Sequence, residues 1–342
     1  LHPRVRRQRQ MCIRDRRKEQ ALEHQDTIAF FGYTRDTYLI DISNPRFGSG
    51  EGKAVINDTV RGYDLYIVTD CFNYNVTYKM YGMTVPKSPD DHYADLKRVI
   101  SAASSKAKRI SVIMPMLYEG RQHKRSSRES LDCAMALQEL VALGVENIIT
   151  FDAHDQRVQN AIPHKSFENV MPTYQMIKAI VNTVDDLKVD KDHLMVISPD
   201  EGAMNRCIFF ATQLGVNLGM FYKRRDYTRV VNGRNPIVEH QYLGDSVNGK
   251  DIIIVDDMIS SGESMLEVAQ KLKALGAARI FVCTTFGLFA NGLQVFDDAY
   301  ANGVFEKVFT TNGVYQTPEL LSKEWYPVSY THLRAHETLR HL

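Results

Sequence analysis

Short apolar runs alternate with segments of helical spacing, and this alternation constrains the chain more than any other feature. Leu65–Thr69 (LYIVT), Ile110–Met114, Asn147–Phe151, Leu194–Ile197, Asn217–Tyr222, Asp251–Val255 (DIIIV) and Arg279–Thr284 each have the length of one buried strand. Between them, Asp91–Ala103 sets Leu96, Val99, Ile100 and Ala103 at helical spacing. Ser130–Leu143 reads as a helix ended by Gly144, and Met265–Leu275 as one ended by Gly276, where a left-handed residue is favoured. Thr173–Val184 follows Pro172, and a further helix runs to Leu214. Strands separated by helices predict an α/β fold, with mostly parallel sheets flanked by helices. At 342 residues the chain has room for two domains. In such folds ligands sit at the carboxyl ends of strands, so the polar loops there are the places to search for chemistry.

Composition removes several classes of function. Lys and Arg number 42 against 41 Asp and Glu, a balance that argues against nucleic-acid binding and against an anionic membrane surface. No run of 18 apolar residues is present, which excludes a membrane-crossing helix. The five cysteines, Cys12, Cys71, Cys133, Cys207 and Cys283, form no C-x-x-C pair, so neither a disulfide framework nor a zinc site is expected and a reducing cytoplasm fits. The two ends differ from the middle. Residues 1–17 hold seven arginines without apolar periodicity, and 328–342 lack any clear pattern; both resemble translated sequencing-adapter read-through. The expected organisation is a non-native or disordered tail over 1–17, one domain over 18–172, a second and truncated one over 173–327, and a non-native tail over 328–342.

The strongest motif is IIIVDDMISSGES, Ile252–Ser264. An apolar strand ends in Asp256 and Asp257, and a small polar loop then opens a helix. Backbone N–H groups at a helix start, with hydroxyls beside them, suit a phosphate. Gly262 permits the tight turn, and the two carboxylates can accept hydrogen bonds from sugar hydroxyls. This string resembles the ribose-phosphate signature of type I phosphoribosyltransferases and ribose-phosphate pyrophosphokinases (PRPP synthetases). Other segments favour the second family. Arg46–Glu51 (RFGSGE) is followed by V-R-G-Y-D-L-Y-I at 60–67, similar to the pyrophosphokinase N-terminal pattern. PMLYEGRQHKR (115–125) is similar to its nucleotide loop, TFDAHDQRVQ (150–159) to its T-x-D-x-H stretch, Ser198–Gly202 (SPDEG) to its S-P-D-x-G loop, and Lys223-Arg224-Arg225 to its basic strand end. GEGKA at 50–54 is not a P-loop, because Phe stands at 47 where a glycine is required and Ala follows the lysine.

The resemblance implies two tandem phosphoribosyltransferase-like domains and transfer of the β,γ-diphosphoryl group of ATP to the C1 hydroxyl of ribose 5-phosphate, with AMP leaving and Mg²⁺ as cofactor. It places Phe47 and Glu51 at the adenine of a neighbouring subunit's site, hence a homo-oligomer. Arg121, Gln122 and His154 would contact ATP, His154 and Asp200 the metal. Lys223 and Arg225 would stabilise charge on the transferred group as the catalytic residues. Asp256, Asp257, Ser260, Ser261, Gly262, Glu263 and Ser264 would hold ribose 5-phosphate. Arg61 falls at a regulatory site of the family. These residue types suit phosphoryl chemistry, which needs mainly positioning and charge neutralisation.

The chain also departs from the family. Ser49, His123 and Arg157 replace an Asp, an Asp and a Gln, and an insertion lies around Phe72–Pro89. Ser260 replaces an Asp in the phosphate loop, and Glu263 brings a negative charge that repels phosphate unless it points away. The alternatives are an inactive regulatory paralogue and a phosphoribosyltransferase that consumes PRPP.

Overall fold

The computed structural model describes residues 39–225 and 237–327. Two compact units divide the chain. Among the described residues, one holds 39–150 together with Arg157–Glu168; the other holds Phe151–Gln156 and 169–327. Mostly parallel sheets flanked by helices are the architecture expected from the alternating pattern.

In the first unit a four-stranded sheet runs in the order Asp64–Val68, Arg109–Ile113, Asn147–Phe151 and Ser166–Val170. The first three strands are parallel neighbours. Helices Pro89–Ala103 and Asp132–Ala142 turn Leu96, Ile100, Leu137 and Leu140 onto Ile110, Val112 and Ile148. Ser88 starts the first helix with a capping box: its hydroxyl accepts the Asp91 N–H at 3.1 Å, and the Asp91 carboxylate accepts the Ser88 N–H at 3.1 Å. The insertion around Phe72–Pro89 contains an antiparallel hairpin, Thr77–Met80 with Met83–Pro86, that the apolar pattern did not disclose.

The second unit is built on six strands in the order Ile237–Leu243, Asn217–Arg225, Leu194–Ser198, Asp251–Ile259, Ile280–Gly287 and Lys307–Thr310. All pairs are parallel except the edge strand Ile237–Leu243. Side chains alternate across a strand, and both faces here are covered. Met195, Ile197, Ile252 and Ile254 pack with Met265, Ala269 and Leu272 of the helix Glu263–Ala274. Leu194, Val196, Ile253 and Val255 pack on the other side, with Met176 and Ile180 of Thr173–Thr183 and Cys207 and Phe210 of Met204–Leu214. That two-sided burial is why the strands read as unbroken apolar runs. From Leu194–Ser198 the chain moves first to Asn217–Arg225 on one side and later to Asp251–Ile259 on the other. The order therefore reverses between Leu194–Ser198 and Asp251–Ile259, and a crevice opens at their carboxyl ends. No helix among the described residues is long and apolar enough to cross a membrane.

Candidate active site

A cavity of about 240 Å³ lies at this reversal, lined by His154, Asp200, Glu201, Gly202, Arg206, Asp256 and Asp257. Each wall has a local cause. After Leu194–Ser198 the Ser198 hydroxyl donates to the Asp200 carbonyl at 2.7 Å. Asp200 Oδ1 accepts the N–H groups of Gly202 and Ala203 at 2.9 and 3.3 Å, which closes an Asx turn into the helix Met204–Leu214. The sequence pattern gives a strand over Asp251–Val255 that ends in Asp256 and Asp257, with a polar loop after them. The strand instead continues to Ile259, because Met258 and Ile259 stay in register with Phe286 and Gly287. Both carboxylates are thus carried within the strand and not at its very end.

A chain of buried charges sets the electrostatics. His154 Nδ1 meets Asp257 Oδ2 at 2.6 Å. Asp152 takes φ 41°, a strained setting for a non-glycine residue. Its N–H is held by the Val170 carbonyl, and its carboxylate by Arg206 at 2.9 Å and by the Thr285 hydroxyl at 2.5 Å. Arg206 also lies 3.6 Å from Asp256. Burial works against the Arg206 charge, but Asp152, Asp257 and Asp256 raise its pKa above the ordinary arginine value. Burial and the adjacent Asp257 push Asp256 well above the usual carboxylate range, against the pull of Arg206. Burial also acts to raise Asp257, yet the contacts with His154 and Arg206 hold it below that range.

The phosphate-type loop follows directly. Gly262 takes φ 91°, and a Cβ there would lie 2.3 Å from the Phe296 ring, so only glycine fits. No side chain caps the helix Glu263–Ala274. Ser260 and Ser261 are half-buried and Ser264 is exposed. Glu263 opens the helix but lines a separate hollow with Leu266, Glu267 and Val295, and its carboxylate lies 3.5 Å from the Asn291 amide.

The structure thus gathers His154, Asp200, Asp256 and Asp257, with Ser260–Ser264 following directly as the loop and first helical residues after the strand Asp251–Ile259. Phe47 and Glu51 belong to the first unit, where the Phe47 and Glu51 backbones close a tight loop at 2.7 Å. Arg121 and Gln122 are exposed on the first unit's loop between Arg109–Ile113 and Asp132–Ala142. Lys223 and Arg225 occupy the last positions of Asn217–Arg225, paired with His240 and Ile237; their side chains lie outside the described residues. The sequence reading missed Arg206, Asp152, Glu201 and Thr285. Arg206 left one signal, being the sole charged residue in the helix MNRCIFFATQL.

Among the described residues no three His, Cys, Asp or Glu groups are arranged to hold a metal ion by themselves. The carboxylates around the cavity instead suit a hard cation that takes one or two protein oxygens and completes its shell from bound phosphate and water. The His154 contact to Asp257 fits too, because metal-bound histidines usually engage a carboxylate through the other ring nitrogen.

The family model for the N-terminal domain of ribose phosphate pyrophosphokinase matches residues 20–144, and the phosphoribosyl transferase domain model matches residues 165–323. A ribose-phosphate pyrophosphokinase of Ralstonia nicotianae is 29% identical over 272 residues, which are 79% of this chain and 76% of that protein. One of Shewanella oneidensis is 29% identical over 279 residues, 81% of this chain and 79% of that protein. Phosphoribosylpyrophosphate synthetase from Mycobacterium smegmatis has the same fold, with a TM-score of 0.68 at 20% identity over 86% of this chain and 87% of that one.

Proposed function

The chain belongs to the ribose-phosphate pyrophosphokinase family, and from that premise we propose that it transfers the β,γ-diphosphoryl group of ATP to the C1 hydroxyl of ribose 5-phosphate, releasing AMP. The observation that carries the reading is the convergence of His154, Asp200, Arg206, Asp256 and Asp257 on one cavity at the sheet reversal, the last two on the strand that leads into an uncapped helix start. The 5-phosphate takes the backbone N–H groups and hydroxyls of Ser260–Ser264. Asp256 and Asp257 accept from the ribose hydroxyls and so orient C1. Arg206, fixed by Asp152, keeps the two carboxylates together and offsets their repulsion. Glu263 does not oppose the phosphate, because its side chain serves the separate hollow.

ATP binds through Phe47 and Glu51 at the adenine, in a site shared between subunits of a homo-oligomer, and through Arg121, Gln122 and His154. Asp200 and His154 would hold Mg²⁺ together with phosphate oxygens, and the ion would supply charge neutralisation for the diphosphoryl group. Lys223 and Arg225 stabilise the charge that develops as AMP departs. The described cysteines are buried thiols, as suits a reducing cytoplasm.

The test is AMP formation from ATP and Mg²⁺, with and without ribose 5-phosphate. The expected result is AMP release that requires ribose 5-phosphate and falls by about 10²–10³ in Lys223→Ala. A folded protein that binds ATP and releases no AMP under either condition refutes catalysis and identifies a nucleotide-binding paralogue.

A further inference from the structure

The hairpin Thr77–Met80 and Met83–Pro86 turns through Tyr81 and Gly82, both at positive φ (48° and 79°). Two strands of this length are marginal alone, and these lean on the Arg46–Glu51 loop. The Tyr81 N–H donates to the Gly48 carbonyl at 2.9 Å. The Tyr78 ring lies over the Arg46 guanidinium, 4.8 Å from its centroid. Gly50 sits at φ 95°, and a Cβ there would come within 2.8 Å of Met80 Sδ, so loop and hairpin nest with no room to spare.

Arg46 ties the loop down from inside. Its side chain is 7% exposed; it donates to the Gly50 carbonyl at 3.1 Å and to Asp95 Oδ2 at 3.0 Å. Lys87, the residue after the hairpin, reaches the same carboxylate at 2.6 Å. Loop and hairpin are therefore anchored on one residue of the helix Pro89–Ala103. Phe47, by contrast, is held out at 55% exposure. The loop is thus fixed from inside while its aromatic side chain stays exposed, so a ligand meeting Phe47 has little loop ordering left to supply.

We propose that the Thr77–Pro86 hairpin is a clasp that presets the Phe47–Glu51 loop for ATP, with Arg46, Tyr78 and Met80 as its positioning residues. The inference rests on the reading that Phe47 and Glu51 meet the adenine. Loosening the clasp lowers the fraction of loop in the binding-competent form. A fall to about a tenth weakens apparent ATP affinity about tenfold and leaves the ribose 5-phosphate site untouched.

The experiment is steady-state kinetics on the full chain for Tyr78→Ala and Met80→Ala, their conservative counterparts Tyr78→Phe and Met80→Leu, and Phe47→Ala as the reference. Equilibrium binding of a non-hydrolysable ATP analogue gives the same comparison without turnover. The alanine variants are expected to raise the ATP KM about five- to tenfold, with kcat and the ribose 5-phosphate KM within about twofold, and the conservative variants to restore it. If Phe47→Ala weakens ATP binding but neither alanine variant does, the clasp is overturned and the adenine reading stands. If Phe47→Ala leaves ATP binding unchanged, the adenine reading fails and the clasp with it. Two independent hairpin positions keep the test decisive should one variant not fold.

Discussion

Arg206→Met tests the electrostatic account of the cavity most directly. The side chain is 10% exposed and bridges Asp152, itself 3% exposed, at 2.9 Å and Asp256 at 3.6 Å. Methionine fills similar space, so packing changes little. Removing one partner of a buried pair leaves an uncompensated charge and costs about 3–5 kcal/mol. The pH dependence has a definite sign. Asp257, held below the carboxylate range, contributes stability above its unfolded pKa of about 4, lost as pH falls through its folded value. Asp256, pushed above that range, acts oppositely: stability falls as pH rises from about 4 through its raised value. Without Arg206 both folded values climb, so the variant's deficit relative to wild type grows as pH rises. The assay is urea unfolding followed by fluorescence of Trp325, the sole tryptophan, which is buried in the same unit. A deficit below about 1 kcal/mol at about pH 7.5, or one that shrinks between about pH 5 and pH 7.5, refutes the reasoning.

Other expectations follow from single contacts. Gly262→Ala forces a Cβ into the Phe296 ring at positive φ and is expected to cost about 2–5 kcal/mol in thermal or urea unfolding; a loss below about 1 kcal/mol contradicts the glycine-only reading. Ser88→Ala breaks the capping box and is expected to cost about 1 kcal/mol, with faster amide exchange in the first turn of Pro89–Ala103; unchanged exchange there argues against the cap. Cys71, Cys133, Cys207 and Cys283 are fully buried, and burial pushes the Cys71 and Cys207 thiols up to about 12. An aromatic disulfide reagent at about pH 8 should therefore modify no more than one of the five thiols in the native chain, and rapid reaction of two or more counts against this burial.

Much of the scaffold was legible in the sequence. Leu194–Ser198 is a near-continuous apolar stretch because both faces of its parallel sheet are covered, and all of its residues are buried. The glycines after the helices Asp132–Ala142 and Glu263–Ala274 mark their ends because backbone at positive φ excludes most side chains; Gly144 and Gly276 both sit at φ 93°. Other features were not legible. The hairpin Thr77–Pro86 alternates over only four residues in its first strand and breaks the alternation in its second, with Tyr81 and Met83 exposed, so the period-2 signal is too short to stand out. Its stability comes from Arg46 and Gly48, some 30 residues away in sequence.

The sequence alone determined the local terms: where strands and helices form, which turn needs a glycine, and which small polar loop opens a helix. These depend on side-chain periodicity and backbone sterics over a few residues. Only the tertiary structure decided which carboxylates share a cavity, that Asp256 and Asp257 ride a strand extended by pairing with Phe286 and Gly287, and that Glu263 serves another hollow. It also decided that Arg206 is the cation among them, with Asp152 brought against it from 54 positions earlier in the chain. The physical reason is range: propensity acts between neighbours, whereas charge pairing and strand register are set by groups that only folding brings within a few ångströms.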